Sequence, residues 1–411
     1  MSQFFDQASL VMIPSGYKNG KVYSQKPLSA DGELTFTRAS TATRVNASGL
    51  IESVASGVPR LDYSGGATCP SLLLEPQTTA LNQYSEQLDN AYFSKSNILN
   101  VDSNVVVSPD GQTSADRMKP DTTYNQHYIN NTSIALSGKN TISVFAKYNG
   151  YNVGLRAQGI GNGRAFVNFD LQNGTILGSG GIDYDDSSIT SFGDGWYRIS
   201  LTLDQLSAYG FGIYAVNGTT ATELPVFSGD GTSGVYLWGV NCTQTSYLQS
   251  YIPTLGSAVT CLADTATKEE DSLISTQEFT LFFEHKALGS SGTDWIYRVD
   301  ISGTGDDISL YTSSSIGLNV YLGSGNGGYI FGNSANDGFT IGSDSKVALT
   351  YNGDRLAYFI NGSLYDSASG ISFVDNVNSL ILRGQKAIAQ KKCLVFPEAL
   401  TDAQCIELTT L

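Results

Sequence analysis

Charge is scarce in this chain, and positive charge is the scarcer sign. Charged side chains are 15% of 411 residues, with 23 Lys and Arg against 38 Asp and Glu, a formal net charge of −15. The long-range field of such a polypeptide repels phosphate backbones and anionic headgroups, so nucleic acid is excluded as a partner. Long hydrophobic runs are also missing. No stretch approaches roughly 18 uncharged apolar residues, and Met1 to Ser15 lacks a basic region followed by an apolar core, so neither membrane insertion nor a signal peptide is expected.

The groups that most enzymes need are thin. His127 and His285 are the only histidines, they lie in unrelated segments, and no Gly-x-Ser-x-Gly elbow accompanies them, which argues against a nucleophilic triad. The cysteines Cys69, Cys242, Cys261, Cys393 and Cys405 form an odd set without CxxC or Cys/His spacing, so they read as reduced, buried thiols rather than zinc ligands. A glycosidase on a sandwich would show acids at i, i+2 and i+4 along a strand, and no extended segment carries such a triplet. The Gly-rich stretches 159–163 and 323–328 precede no helix that could hold a phosphate, and they read as hairpin turns. The chain is expected not to be an enzyme.

What is present is glycine (44), tyrosine (23) and short alternating runs. The length implies roughly two to four domains. Thr141 to Tyr148, Val153 to Ala157, Ala165 to Leu171, Tyr197 to Leu203, Phe211 to Val216 and Val235 to Val240 each alternate apolar and polar side chains. Asn173-Gly174 is a hairpin signal between two of them. After residue 277 the alternation resumes, and Asn352-Gly353 and Asn361-Gly362 punctuate a meander. Near the C-terminus Thr401 and Gln404 have capping-box spacing, with Leu400 and Cys405 as the hydrophobic staple of one short helix. The expected fold is all-β: tandem β-sandwiches, a jelly roll over 89–255 and a second sandwich over 277–411, with a linker at 256–276 and an irregular N-terminal β region over 1–88 that carries short β-runs such as Leu34 to Thr37 and Leu72 to Leu74.

Several motifs carry a family resemblance. "VALTYNGDRLAYFINGSLY" (347–365) and "LVFPEALTDAQCIEL" (394–408) resemble the laminin-G-like, concanavalin A-like lectin sandwich. "FAKYNG", "FDLQNGTI", "GDGWYRIS", "GVYLWGV" and "SYIPT", in that order between 145 and 254, resemble a carbohydrate-binding-like jelly roll found in bacteriophage structural proteins. "FTRASTATRVNASGLIESV", "LLLEPQTTALNQYSE" and "SPDGQTSADRM" are similar to the leader that precedes it there. One departure is that Trp238-Gly239 continues as Val240, Asn241 and Cys242 instead of Ala-Gln-Leu-Glu. The resemblance implies a virion surface protein (tail fibre, head fibre or spike), made in the host bacterial cytoplasm. Its N-terminal region would dock to other virion proteins, and its sandwiches would act as a non-catalytic adhesin for host-surface polysaccharide, in a homo-oligomer, a trimer being the natural arrangement. A purely structural decoration protein and a depolymerase are the competing readings.

Sugars bind where aromatic faces meet planar hydrogen-bonding groups. Tyr124, Asn125, Gln126, His127 and Tyr128 supply that mixture in one run, and Trp295, Tyr311, Asn319, Tyr321 and Tyr329 supply it in the last third. Trp196 and Trp238 read as core. Asp183, Asp185 and Asp186 read as a solvated loop, with a bound calcium ion as the functional alternative; otherwise no cofactor is expected.

Overall fold

Antiparallel strands dominate the described residues, with two short helices beside them. The computed structural model describes residues 2–158, 165–269, 277–289, 294–301, 308–313, 317–322, 330–331, 339–373, 377–383 and 387–410.

The middle of the chain is a β-sandwich organised by two long strands, Tyr128–Asn149 and Trp196–Val216, which pair from Tyr128 opposite Tyr214 to Lys147 opposite Trp196. Register shifts after Asn131 and after Leu136 interrupt the ladder, and bulges of this kind bend a strand. The two halves therefore take different neighbours. Gly234–Thr243 flanks residues 141–149, whereas Asn152–Ala157 flanks residues 211–216. Ile142, Val144 and Ala146 from one layer meet Val153, Leu155, Phe211 and Ile213 from the other in one buried cluster. The Asn173-Gly174 hairpin forms between Ala165–Asp170 and Thr175–Gly180, with Gly174 at φ 67°.

The second sandwich packs an eight-stranded sheet on a nine-stranded one. Leu281, Phe283, Val347, Leu349 and Val395 from the first meet Leu310, Val320, Leu380 and Leu382 from the second. The meander at Asp344–Tyr351, Leu356–Ile360 and Ser363–Ala368 turns at the two Asn-Gly pairs. The helix Asp402–Thr409 carries the capping box between Thr401 and Gln404. With Leu400, Cys405 and Leu408 it covers the outer face of the eight-stranded sheet, beside Ala8 and Phe4, the latter in a second short helix, Ser2–Gln7, that the sequence pattern had not signalled. Four cysteines are buried thiols as expected, but Cys69 is exposed.

The segments expected to be an irregular leader and a linker are strands of the same fabric. Leu10–Met12 and Ser71–Leu74 both pair with Ile388–Phe396, and Leu34–Thr37 pairs with Thr265–Glu269. Leu10, Met12, Val22, Leu34, Phe36, Leu72 and Leu74 are all in the second sandwich's core. Strands of the first 75 or so residues thus complete the C-terminal sandwich, the hairpin Ala42–Val45/Ile51–Val54 packs on the jelly roll through Ile51, and the jelly roll is an insertion within the sandwich. Thr78–Ala80, leading into the insertion, pairs with Val259–Cys261, leading out.

A buried ionic cluster holds this junction. Asp264 binds Arg38 Nη1 at 3.0 Å and the Arg60 guanidinium, and it accepts the Glu75 backbone N–H at 2.8 Å. Arg60 also reaches Glu75 at 2.6 Å and the Ser250 hydroxyl at 2.9 Å. Burial alone would raise the Glu75 carboxyl, but Arg60 and the Ser250 hydrogen bonds hold it below the usual range. Arg38, Arg60 and Asp264 side chains are fully buried, so removing one charge strands the others in a low-dielectric site. Asp264→Ala should destabilise the protein by about 3–5 kcal/mol in urea unfolding. Arg44→Ala, which breaks the half-exposed Arg44–Glu52 pair, should cost less than about 1 kcal/mol.

Acid should also loosen the C-terminal sandwich. His285 is buried opposite Ser345 and Gln390, and burial, partly opposed by Asp344, lowers its pKa from 6.5 to about 4. The unfolded chain then binds the extra proton first, so stability present above pH 6.5 is lost as pH falls towards 4. His285→Gln should remove on the order of 2–3 kcal/mol of that loss in melts compared at pH 7 and pH 4.

Candidate functional site

The outer face of the jelly roll's second layer is built in rows across its strands. Strand register places Asn130 opposite Gly212, Gly212 opposite Arg156, and Arg156 opposite Phe166. The neighbouring row runs Tyr128, Tyr214, Gly154, Asn168, Gly178. At inter-strand spacings of about 4.8 Å, the Asn130 to Phe166 row extends roughly 14 Å.

Glycines alternate with large side chains in these rows, and the alternation shapes the surface. A Cβ on Gly154 would sit 2.1 Å from the Tyr214 ring, so only glycine lets that ring lie across the strand. A Cβ on Gly212 would sit 3.3 Å from Arg156 Cγ and 3.5 Å from Asn130 Cβ, so the arginine stem rests in the dip between strands. Tyr214 is fully buried there with Val216 and Leu224, and Tyr128 packs against them.

A wall rises beside this floor. Asn168 Nδ2 donates to the carbonyls of Thr220 and Thr222, both at 2.9 Å, and Asn152 Nδ2 donates to that of Gly218 at 3.0 Å. These amides pin residues 218–224 over the sheet and carry Glu223 to Arg156, with Nε and Oε1 3.5 Å apart. That distance is beyond a hydrogen bond, and both atoms lack a hydrogen-bond partner among the described residues. Asn130 Nδ2 donates to Gln158 Oε1 at 3.2 Å. The surface thus offers two half-buried rings, Tyr128 and Phe166, beside a guanidinium, a carboxylate and two carboxamides. Flat rings with planar donors and acceptors at their edges are what a pyranose requires.

The run Tyr124 to Tyr128 does not form one patch, because successive residues of extended chain face opposite ways. Tyr124 (75% exposed) and Asn125 lie in a short strand paired with Phe227–Ser228, and the Gln126 carbonyl accepts Asn97 Nδ2 at 2.8 Å. His127 is buried, with Nδ1 2.6 Å from the Asn97 carbonyl, Nε2 2.9 Å from that of Phe227, and its ring against Phe227. It therefore holds two loops together and cannot meet a ligand. Only Tyr128 reaches the face described above.

In the second sandwich, register sets Trp295 opposite Tyr311, Tyr311 opposite Asn319, and Tyr321 opposite Ser309. Leu310, Val320 and Leu322 enter the core, so Tyr311, Asn319 and Tyr321 belong to the outer face, where both tyrosines are half-buried. Asn319 is buried at 1% exposure, which removes it as a contact residue. Tyr329 and the side chain of Trp295 lie outside the described residues. Of the three aspartates, Asp185 pairs with Lys139 at 2.9 Å and Asp186 accepts the Ser187 N–H at 2.8 Å. Among the described residues no group of three or more His, Cys, Asp or Glu is placed to hold a metal ion. Trp196 and Trp238 are buried, as expected.

Asn130, Arg156, Gln158, Phe166 and Glu223 were missed in the sequence. The available signal was glycine inside otherwise alternating strands, at Gly154, Gly178, Gly180 and Gly212, which marks close approach over a strand.

No protein-family model matches the chain, and no curated protein matches it. Among solved structures it is similar to the CBM40 of the Ruminococcus gnavus IT-sialidase bound to alpha2,3 sialyllactose. That match has 16% identity and a TM-score of 0.28, covering 33% of this chain and 84% of that one. It is also similar to the leech intramolecular trans-sialidase (19% identity, TM-score 0.28) and to the NanB sialidase of Streptococcus pneumoniae (13% identity, TM-score 0.28). Those two matches cover 33% and 35% of this chain and only 24% and 26% of theirs. Likenesses at these TM-scores carry no weight in the functional reading below.

The glycine rows make a local prediction. Gly154→Ala should destabilise by about 1–3 kcal/mol, because the Tyr214 ring has nowhere to go, whereas Gly212→Ala, met by a flexible arginine stem, should cost less than about 1 kcal/mol in urea unfolding.

Proposed function

We propose that this protein is a non-catalytic adhesin of a bacteriophage virion, and that the jelly roll's Arg156 face recognises glycans of the host surface. The observation that carries the glycan reading is a partly exposed guanidinium–carboxylate pair, Arg156 and Glu223, beside the half-buried rings of Tyr128 and Phe166. Partly exposed planar charged groups at the edge of a ring-lined surface are what sugar hydroxyls hydrogen-bond to. The virion assignment is supported by the leader and jelly-roll motifs between residues 36 and 254. Because the strands between residues 10 and 74 are taken up by the second sandwich and by a hairpin packed on the jelly roll, contacts to other virion proteins fall to exposed turns such as that at Leu28, which is 99% exposed. Single-site sugar binding is weak, so function rests on several copies in a homo-oligomer, a trimer in this reading.

Host polysaccharide presented on an array should bind the full chain saturably and keep its chain length. Arg156→Ala and Tyr128→Ala should each weaken binding by about tenfold or more, the equivalent of ~1.4 kcal/mol, without altering the thermal melt. Undiminished binding by both variants would overturn the site. Shortened polysaccharide would overturn the non-catalytic reading.

A further inference from the structure

A second surface, on the other sandwich, has its own chemistry. Tyr17–Lys18 and Lys21–Val22 form a hairpin at the edge of the nine-stranded sheet, turning at Asn19 (φ 52°) and Gly20 (φ 74°). Both central residues have positive φ, which fixes a tight two-residue turn and with it the register. That register sets Lys18 directly opposite Lys21. Like charges in that position repel, and neither ammonium forms an ion pair among the described residues.

The two lysines share an open pocket of about 550 Å3 with Asn19, Tyr23 and Glu33. Tyr23 is half-buried, its ring close above Gly16, where a Cβ would meet Cδ2 at 3.2 Å. Glu33 lines the same pocket without pairing to either lysine, so two cations against one anion leave a local excess of positive charge on a chain whose formal charge is −15. An anion placed between the ammonium groups relieves their repulsion, a sugar ring stacks on Tyr23, and its hydroxyls donate to the carboxylate of Glu33.

We infer that the Lys18/Lys21/Tyr23 pocket is a second glycan subsite, selective for a sugar residue that carries a carboxylate. The inference rests on the reading of the chain as a glycan-binding protein but not on the Arg156 face. Lysine is also a common guard of sheet edges, and that role alone would need neither the Tyr23 ring nor the pocket.

The test is titration of the full-length protein with a galacturonate hexasaccharide, its neutral methyl ester and inorganic phosphate, followed by NMR or calorimetry. Saturable binding of the acidic oligosaccharide is expected, weaker by about tenfold for the ester and for the Lys18→Gln/Lys21→Gln variant. Tyr23→Ala should lose binding, and Tyr23→Phe should retain it. The lysine variant should still bind polysaccharide at the Arg156 face, and Arg156→Ala should still bind the hexasaccharide, which separates failure of one site from failure of the other. The inference is overturned if the ester binds as well as the acid, if phosphate binds as tightly as the oligosaccharide, or if the lysine variant, folded by its unchanged melt, binds normally.

Discussion

Two guanidinium groups sharing one buried carboxylate are the constraint on which the architecture turns. Arg38 and Arg60 come from the N-terminal segment, Asp264 from the strand region that re-enters the second sandwich, Glu75 from the last N-terminal strand and Ser250 from the end of the jelly roll. Desolvating four charges is costly, and the cluster is favourable only when every partner is in place. It therefore acts as a check on assembly: strand registers that leave any one charge unmatched are penalised. The pairing of Thr78–Ala80 with Val259–Cys261 lies next to it, so the jelly roll hangs from a doubly connected stem and not from a single flexible linker.

The legible part of this fold was the part encoded by local pattern. Period-2 alternation located the jelly-roll strands, Asn-Gly pairs located three hairpins, and Thr401 with Gln404 located the C-terminal helix, because in each case the physical cause lies within a few residues. The short β-runs at Leu34 to Thr37 and Leu72 to Leu74 were legible too, but the partners of the N-terminal strands were not. Leu10–Met12 and Ser71–Leu74 are three and four residues long, and their partners lie in Ile388–Phe396, more than three hundred residues away. Segments this short carry no signal of which distant strand they will pair with, so the sheet they belong to is settled only by the partner. The same holds for Thr265–Glu269, whose small and charged residues looked like a linker yet bridge two strands of the nine-stranded sheet.

The site was less legible than the fold, and the run Tyr124 to Tyr128 shows why. Composition located a stretch rich in rings and amides, but the proposed glycan face is assembled across strands, from residues 128, 130, 156, 158, 166 and 223. Within one strand, neighbouring residues part to opposite faces, so the sequence-adjacent His127 became a buried tie between two carbonyl oxygens while Tyr128 reached the surface. Glycines within the strands were the better guide, since Gly154 and Gly178 leave room for the Tyr214 ring and for Ala221 to lie close over the sheet.

Nesting one sandwich inside the other has a consequence for recognition. A domain tethered at one end samples many orientations, and each binding event must spend free energy to select one of them. The insertion here is tethered at both ends, its stem is hydrogen-bonded, and its base is held by buried ion pairs, so the Arg156 face keeps a fixed relation to the sandwich that carries Lys18 and Lys21. In the proposed reading, such a doubly tethered arrangement raises effective concentration without any new contact, because the second proposed site is already oriented when the first engages. The scarcity of positive charge fits this arrangement: on a surface that repels anions overall, a few placed cations provide selectivity that a generally basic surface would blur.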